Sequence, residues 1–289
     1  MLTERVEAWR DAGSFETVAG RELFVVRRGG EGPPLLLLHG FPSSSYDWKR
    51  LLELRPDRAV VAFDCLGFGL SEKPAGIEYT LAWQADAAEE LVARGGHDEV
   101  FVVGHDMGTS VATELMARDL RGELRIKLAG VLLFNGSILL HRASPTTGQK
   151  ILRSRFGPFF ARLNSERTFS AQFARIFSKA HPLTPDEAAD QWALLAHHDG
   201  HRRLPDTINY MNERERFTDR WHGAVRDWPG PLSLAWGLQD PVATTSVLSG
   251  LRELRPGVAV TELPDAGHYP QIEVPEQLCG ALDRALHVS

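Results

Sequence analysis

Continuous apolar runs of strand length recur along the chain, and segments with helical periodicity lie between several of them. The first four runs lie at positions 33–40, 59–69, 99–108 and 128–136. Residues 15–28 instead alternate apolar and polar side chains around Ala19-Gly20, which predicts an antiparallel hairpin with one buried face. Buried strands that alternate with helices are typical of a parallel sheet covered on both faces. The pattern therefore predicts an α/β fold with a mostly parallel sheet and an antiparallel edge.

The pattern changes after Asn135. Residues 137–228 are rich in Phe, Arg, His and Trp, have helical periodicity and contain no strand-like run. Two further strand-and-loop segments follow, at 231–241 and 257–270. We therefore predict a core domain formed by residues 1–136 and 229–289, with residues 137–228 inserted as a helical cap subdomain.

Composition narrows the choice of partners. The net charge of −6 and the pI near 6.0 favour neither a nucleic-acid nor an anionic-membrane partner, since both bind basic surfaces. The two cysteines, Cys65 and Cys279, stand far apart without metal-ligand spacing, so we expect no disulfide, metal or cofactor. No apolar run has membrane-spanning length and the first residues do not resemble a signal peptide. We expect a cytoplasmic monomer or homodimer.

The segment Gly104-His105-Asp106-Met107-Gly108 has the form of a nucleophile elbow, G-x-S-x-G, with aspartate in place of serine. Small flanking residues are required because the strand and the following helix crowd together at such a turn. The start of the helix also directs its positive end at the nucleophile. By itself the motif is weak, since an aspartate at this place is often only a helix N-cap.

Three further features support a catalytic site. Phe41, in the segment His39-Gly40-Phe41-Pro42, follows a predicted strand and can supply one oxyanion-hole N–H, with Met107 supplying the other. Asp240 and His268 each follow a later strand, in the chain order nucleophile, acid, histidine. The three predicted catalytic residues are therefore Asp106, Asp240 and His268.

Two other polar residues near these strands are given structural roles. Asn135 occupies the rival position for the acid, but an amide cannot supply the charge that stabilises an imidazolium. His105 precedes the nucleophile and is expected to point away from it. Asp64 and the glycines that follow it are expected to shape a loop near the site, because they lack the spacing of a nucleotide-binding motif.

The motifs HGFP, GHDMG, LQDPV and AGHYP make the chain similar to the α/β-hydrolase superfamily over nearly its whole length. Within it, the chain resembles the branch of epoxide hydrolases and haloalkane dehalogenases. FDCLGFGLSEKP, FNGSI and YMNERERF carry a narrower resemblance to the bacterial relatives of the mesoderm-specific transcript protein, a group that implies no assigned reaction. The resemblance implies an α/β-hydrolase fold with an inserted helical cap.

An aspartate nucleophile changes the reaction class. A carboxylate that attacks an ester carbonyl forms a high-energy anhydride, whereas one that displaces a leaving group from saturated carbon forms an ordinary alkyl ester. His268, oriented by Asp240, then activates the water that cleaves this ester. We therefore expect a small apolar electrophile and water as substrates, with an epoxide favoured over an alkyl halide.

The leaving group separates these two activities. The resemblance implies that an epoxide alkoxide receives its proton from a cap tyrosine, and Tyr210 is the only tyrosine between residues 137 and 228. Family members commonly use two donors, and the sequence does not select a second one. The candidates are His181, His197, His198 and His201.

A haloalkane dehalogenase is the first alternative. Cap tryptophans could solvate a halide ion, and the candidates are Trp192, Trp221 and Trp228. Against it, this family usually has a tryptophan after the nucleophile and often an asparagine after the HG pair, where this chain has Met107 and Phe41. The second alternative is a ligand-binding relative without turnover, which has no need of an intact triad.

Overall fold

A computed structural model describes residues 1–287 and contains an eight-stranded sheet. The strands are β1 (Ser14–Val18), β2 (Arg21–Arg28), β3 (Glu31–Leu38), β4 (Arg58–Phe63), β5 (Glu99–His105), β6 (Lys127–Phe134), β7 (Leu232–Gly237) and β8 (Ala259–Leu263). Their spatial order is β1-β2-β4-β3-β5-β6-β7-β8. Strands β3 to β8 pair in parallel, whereas β1 pairs with β2 and β2 with β4 in antiparallel fashion. The predicted mostly parallel sheet with a hairpin at its edge is confirmed.

Helices cover both faces of this sheet. The helices are α1 (Glu4–Asp11), α2 (Lys49–Leu54), α3 (Leu81–Arg94), α4 (Met107–Asp119), α5 (Thr147–Leu152), α6 (Gly157–Arg162), α7 (Glu166–Phe173), α8 (Pro185–Ala196), α9 (Leu204–Thr207), α10 (Tyr210–Arg216), α11 (Thr218–Asp227), α12 (Thr245–Leu254), α13 (Pro270–Glu273) and α14 (Pro275–Leu286). In β3, Leu36 packs with residues of α3 and α4, and Leu35 packs with residues of α2 and α14. Because both faces are buried, the strand is a continuous apolar run.

The segment that joins β6 to β7 contains helices α5 to α11 and loops, and no strand within this described stretch. It is fixed to the rest of the chain by polar contacts as well as apolar ones. Asp190 of α8 accepts hydrogen bonds from the Tyr46 hydroxyl, at 2.7 Å, and from Arg5 Nε, at 2.7 Å. The domain boundaries at 136/137 and 228/229 stay a prediction. No helix in residues 1–287 is both long and apolar enough to span a bilayer.

The apolar run at 59–69 is a strand only as far as Phe63. Beyond it the Asp64 carboxylate accepts hydrogen bonds from the backbone N–H groups of Ser45 and Leu70, at 2.7 and 2.6 Å. These bonds draw the chain into a loop, as expected for this segment. Within the loop, Phe68 packs edge-on against Phe41, with the ring centroids 6.3 Å apart. Both cysteines are free and buried.

Candidate active site

Asp106 lies between β5 and α4 with φ 42° and ψ −108°, a conformation that is costly for a residue with a side chain. Its neighbours leave no space for larger residues. A Cβ added to Gly108 would lie 2.1 Å from the Leu38 carbonyl oxygen, and one added to Gly104 would lie 2.8 Å from the Gly108 oxygen. The two glycines therefore allow β3, β5 and α4 to meet closely enough to form the elbow.

Asp106 occupies the N-cap position of α4, but its buried carboxylate makes no capping hydrogen bond, so capping does not account for this aspartate. Its Oδ2 instead accepts the backbone N–H of Phe41, at 3.0 Å. One of the two predicted oxyanion donors therefore contacts the carboxylate directly. Met107 is buried as the first residue of α4, and its role as the second donor stays a prediction.

His268 and Asp240 form a hydrogen-bonded pair, with 2.7 Å between Nδ1 and Oδ2. The other carboxylate oxygen, Oδ1, accepts the backbone N–H groups of Val242 and Ala243, at 2.7 and 3.0 Å. Asn135 Nδ2 donates to Asp240 Oδ2, also at 2.7 Å. Asn135 is therefore a neighbour that positions the acid, and the structure brings together both residues that were weighed for the acid position.

The electrostatic surroundings favour a charged His268 despite its burial. Burial alone would lower the pKa of His268, but the charge and hydrogen bond of Asp240 outweigh it, and the Asp106 charge adds to their effect. The net result is a pKa above the usual histidine value. His268 can therefore take a proton and hold it as an imidazolium between the two carboxylates.

His105 supports the loop that carries His268, and neither of its ring nitrogens is hydrogen-bonded to Asp106. Its Nε2 lies 2.7 Å from the His268 carbonyl oxygen, and its Nδ1 lies 3.1 Å from Gln271 Nε2. Its ring stacks on Phe134 with a centroid distance of 4.9 Å. Burial keeps the pKa of His105 well below the usual value, so the ring is neutral. The structural role predicted for His105 agrees with these contacts.

Arg214 of α10 is a site residue that the sequence analysis missed. Its side chain is about as buried as that of Asp106, with 1% and 2% exposed respectively. Arg214 Nη2 donates to the Asp106 carbonyl oxygen at 2.7 Å and lies 3.6 Å from Asp106 Oδ1. Its Nε donates to Ser110 Oγ at 2.8 Å. The sequence signal was its spacing, because positions 210 and 214 lie on the same face of a helix.

Tyr210 is buried between two site residues. Its ring lies 5.6 Å from the Phe41 ring and 4.7 Å from the Arg214 guanidinium carbon. Burial and the nearby Asp106 charge raise the pKa of Tyr210, while Arg214 and Gln149 partly offset that rise. The phenol therefore stays protonated at neutral pH, as a proton donor must before it acts.

A cavity of about 300 Å³ opens beside Phe41 and His268. Phe41, Pro42, Val242 and His268, which lie outside residues 137–228, contribute to its wall, and the remaining lining comes mainly from α5, α6 and α7. The lining is largely apolar, with polar side chains on the helical side. These polar residues are Thr146, Gln149, Asn164, Thr168 and Gln172. The arrangement suits an apolar ligand that carries a small number of polar groups.

Tyr210, the first of the leaving-group donors proposed from the sequence, does not itself line the cavity but packs against Phe41, which does. None of the four candidate histidines or the three candidate tryptophans lines this cavity. Trp221 Nε1 donates to Glu114 at 2.9 Å and Trp228 Nε1 to Asp119 at 2.6 Å, while Trp192 packs against Phe169. Three amide side chains that the sequence analysis did not select line the cavity instead, at Gln149, Asn164 and Gln172.

Glu273 joins the histidine loop to the helical segment. Its Oε2 accepts the backbone N–H groups of Ser178 and Gly267, both at 2.8 Å, and its Oε1 accepts that of Tyr269 at 3.0 Å. The His268 N–H donates to the Ile176 carbonyl oxygen at 2.9 Å. The Glu273 carboxylate and one main-chain bond therefore hold the backbone at Ile176 and Ser178 to the loop that carries His268. Within residues 1–287, no His, Cys, Asp and Glu side chains are grouped so as to hold a metal ion.

Residues 35–281 match the alpha/beta hydrolase family, and the chain belongs to this family. The Mycobacterium tuberculosis protein LipZ, which carries a hydrolase name, is 52% identical over 276 residues, or 96% of each chain. The mesoderm-specific transcript protein of Mus musculus is 34% identical over 289 aligned positions, which cover 95% of this chain and 85% of that protein.

Solved structures of two named enzymes share the fold. The haloalkane dehalogenase DatA from Agrobacterium tumefaciens matches with a TM-score of 0.78 and 21% identity, over 95% of this chain and 96% of that chain. The epoxide hydrolase CorEH matches with a TM-score of 0.76 and 20% identity, over 96% of this chain and 97% of that chain. At this level of identity the similarity establishes the α/β-hydrolase fold, and the reaction has to be argued from the site.

Proposed function

We propose that this hydrolase opens an epoxide to a diol through a covalent alkyl ester on Asp106. The observation that carries the proposal is the environment of one carboxylate. Asp106 stands on a strained elbow with Oδ2 already bonded to the Phe41 N–H. Phe41 lines the cavity, as does His268, which is paired with Asp240. A carboxylate in this position serves displacement at saturated carbon, because attack on an ester would form an anhydride.

The two oxygens of Asp106 have different roles in the first step. Oδ2 is held by the Phe41 N–H, so Oδ1 is the oxygen that attacks the epoxide carbon. A bond forms between Oδ1 and that carbon while the carbon–oxygen bond of the ring breaks. The departing alkoxide takes the phenolic proton of Tyr210, whose raised pKa keeps that proton available beforehand.

The second step cleaves the ester. His268 removes a proton from water, and the hydroxide adds to the carboxyl carbon of Asp106, so that negative charge develops on Oδ2. The Phe41 N–H is in place to stabilise this oxyanion, and the Met107 N–H is its proposed partner. Collapse of the tetrahedral intermediate breaks the bond between the carboxyl carbon and Oδ1, and Oδ1 leaves with the diol and takes the proton back from His268. Asp106 is then a carboxylic acid that contains the oxygen of the water. It releases its proton to solvent and the deprotonated Tyr210 takes one up, which restores the carboxylate and the phenol.

The contacts of the tryptophans favour an epoxide over a halide. A departing halide needs N–H donors to solvate it. The indole N–H groups of Trp221 and Trp228 are bonded to carboxylates, so such donors would have to come from the cavity amides Gln149, Asn164 and Gln172. An alkoxide needs a proton instead, and the proposed donor Tyr210 packs against Phe41, which lines the cavity.

Trapping the ester tests the proposal. In His268→Gln protein the first step proceeds and the second stops, so incubation with a styrene-oxide-type epoxide should add the mass of the epoxide to the peptide that contains Asp106. Asp106→Asn/His268→Gln protein should stay unmodified, and His97→Gln, a substitution remote from the cavity, should turn over without accumulating the adduct. Absence of an adduct with every epoxide tried would contradict the proposal.

Two outcomes would point to the alternatives. Halide release from a panel of short haloalkanes, without epoxide turnover, would assign the site to dehalogenation. Ligand affinity that is unchanged in Asp106→Asn protein, without turnover of either substrate class, would favour a binding protein.

A further inference from the structure

Four large apolar side chains are exposed within one short stretch around α6. Phe156, Phe159, Phe160 and Leu163 expose between 47% and 61% of their surface, and we call them the α6 patch. The other exposed large apolar residues in the described chain are Met1, Phe15 and Leu120, which are scattered singly. Single exposed apolar residues are ordinary, whereas a contiguous group indicates an interaction surface.

The α6 patch is continuous with the cavity. Phe160 and Leu163 are exposed to solvent and also line the cavity, together with Ala161 between them. A molecule that covers the patch therefore lies at the cavity mouth. This continuity distinguishes the patch from an apolar surface that only packs against another protein.

The charges around the patch are opposite to those of the whole chain. Residues 150–167 contain five basic side chains and one acidic side chain, Glu166, which gives a local charge of +4 in a chain whose net charge is −6. Arg155 and Arg162, both exposed, flank the patch, and neither forms an ion pair among the described residues. Arg162 also lines a depression with Arg202, Arg203 and Asp206, in which Arg203 is paired with Asp206 at 3.1 Å.

We propose that the α6 patch docks on a lipid surface that carries anionic headgroups, with its phenylalanines in the interface and its arginines against the headgroups. Aromatic and leucine side chains beside basic residues are the combination that binds such interfaces. The inference departs from the expectation based on net charge, because a surface responds to the local charge that faces it. Resting on the proposed function, it implies that lipophilic epoxides enter the cavity directly from the lipid.

A second copy of the chain fits the patch less well. A two-fold contact brings the same surface of two chains together. The positive charge beside the patch would then face the same positive charge on the second chain. Like charges brought together in this way oppose association. An anionic bilayer offers both an apolar layer and the opposite charge.

Vesicle binding tests the inference without any need for turnover. The full chain is mixed with vesicles of phosphatidylcholine alone or of phosphatidylcholine with phosphatidylglycerol, and bound protein is measured by flotation. We expect binding to the mixed vesicles, weakening as salt is added because headgroup attraction is screened. The Phe156→Ser/Phe159→Ser variant should bind at least about tenfold more weakly, since burying each ring favours binding by roughly that factor.

Two further variants separate the contributions. Arg155→Glu/Arg162→Glu should abolish the preference for the mixed vesicles. Leu120→Ser removes an exposed apolar side chain outside the patch and should bind like the unaltered chain. Circular dichroism and thermal unfolding should be unchanged in all three variants, as none alters a buried residue.

The inference fails if the chain does not bind mixed vesicles at low salt, or if the Phe156→Ser/Phe159→Ser variant binds them equally well. It also fails if the unaltered chain self-associates in sedimentation, the Phe156→Ser/Phe159→Ser variant does not, and neither of the two binds vesicles. That result would make the patch an interface between copies of the chain. Failure of the ester-trapping experiment would leave all these binding results standing, so the two proposals are tested separately.

Discussion

Arg214 and Asp106 form a buried contact in which one guanidinium serves both the backbone and the side chain of the proposed nucleophile. Arg214 Nη2 lies 2.7 Å from the Asp106 carbonyl oxygen and 3.6 Å from Oδ1. Because α10 lies between β6 and β7 in the sequence, this contact joins the elbow to the helical segment. A buried ion pair is costly to break from one side, since the remaining charge loses its partner.

Removing Arg214 should therefore destabilise the protein and reduce its activity. We expect Arg214→Met to lower the free energy of unfolding by about 3–5 kcal/mol. Arg214→Lys should retain part of the stability, because one ammonium can approach Asp106 but cannot also reach Ser110 in the same geometry. Chemical denaturation and steady-state kinetics measure the two effects.

The control and a double-mutant cycle make this prediction specific. Arg216→Met removes an exposed arginine from the same helix and should change stability by no more than about 0.5 kcal/mol. In an Asp106→Asn background, Arg214→Met should cost less than in the unaltered chain, because the carboxylate is no longer left unpaired. Equal costs in both backgrounds would show that the ion pair contributes nothing.

The raised pKa of His268 predicts the pH dependence of ester cleavage. His268 must be neutral to accept a proton from water, so the cleavage rate should rise with pH through a value above the usual histidine pKa. Asp240→Asn removes the charge that raises this pKa, so the acidic limb should move to lower pH while the maximal rate falls by roughly 100-fold or more. Single-turnover formation and cleavage of the ester in the unaltered chain and in Asp240→Asn, followed by rapid quench across pH, checks both effects. An acidic limb that stays in place would refute the assignment.

The same pair affects stability with a defined sign. Because the folded-state pKa of His268 lies above the unfolded value, its stabilising contribution is complete below the unfolded pKa. It is lost as the pH rises through the folded pKa. Asp240→Asn should therefore destabilise the protein most on the acidic side of this window, as measured by thermal unfolding across pH.

The contact between Asn135 and Asp240 allows the acid to be exchanged. Asn135 Nδ2 lies 2.7 Å from the oxygen of Asp240 that bonds His268. Asn135→Asp alone should reduce activity, because two carboxylates then compete at one place. The double variant Asn135→Asp/Asp240→Asn restores one acid and one amide, and should recover part of the activity lost in Asp240→Asn. The ester-cleavage rates of the three variants, compared at one pH, measure this recovery. If the double variant is no faster than Asp240→Asn, position 135 is too far from His268 to serve as its acid.

Asp47 should make stability depend on pH near neutrality. Burial raises the pKa of Asp47 to about 7, although Ser43 and Gln191 hydrogen-bond to its carboxyl group. The folded state therefore binds a proton that the unfolded state has already released, so stability falls between about pH 4 and pH 7. Asp47→Asn should remove this loss and stabilise the protein above pH 7 by at most about 4 kcal/mol.

Thermal unfolding across pH tests this expectation. The advantage of Asp47→Asn should disappear as the pH falls to about 4, where both states are protonated. Asp57→Asn, which alters an exposed carboxyl group, should leave the difference in stability between high and low pH as it is in the unaltered chain. A variant that is less stable than the unaltered chain at pH 8 would contradict the prediction.

The strands and the polar residues at their ends were predictable because both depend on short stretches of sequence. Leu35 and Leu36 are both apolar since opposite faces of β3 are buried, and this produces a run that is visible without a structure. Asp106, Asp240 and His268 follow such runs directly, so the parallel sheet brings them to one edge. The apolar run at 59–69 predicted a longer strand than the structure contains. Hydrogen bonds to the Asp64 carboxylate end β4 at Phe63, although the apolar residues continue beyond it.

The helical side of the cavity was not predictable in the same way. The burial of Arg214 depends on where α10 meets α4, which no local pattern encodes. Gln149 lies on a short helix whose apolar face is small, so its position at the cavity follows from tertiary packing alone. The contacts of Trp221 and Trp228 were equally hidden from the sequence. Their polar partners, Glu114 and Asp119, lie on a helix that is remote from them in sequence.

The bonds made by Glu273 have a consequence for motion. Since Ile176 and Ser178 are held to the histidine loop through His268 and Glu273, opening that side of the cavity would displace His268, the proposed base. Exchange of substrate and product is therefore assigned to the opposite margin, where Phe160 and Leu163 meet solvent. Exchange at that margin would leave the backbone bonds around His268 in place, so the geometry proposed for water activation would be kept from one turnover to the next.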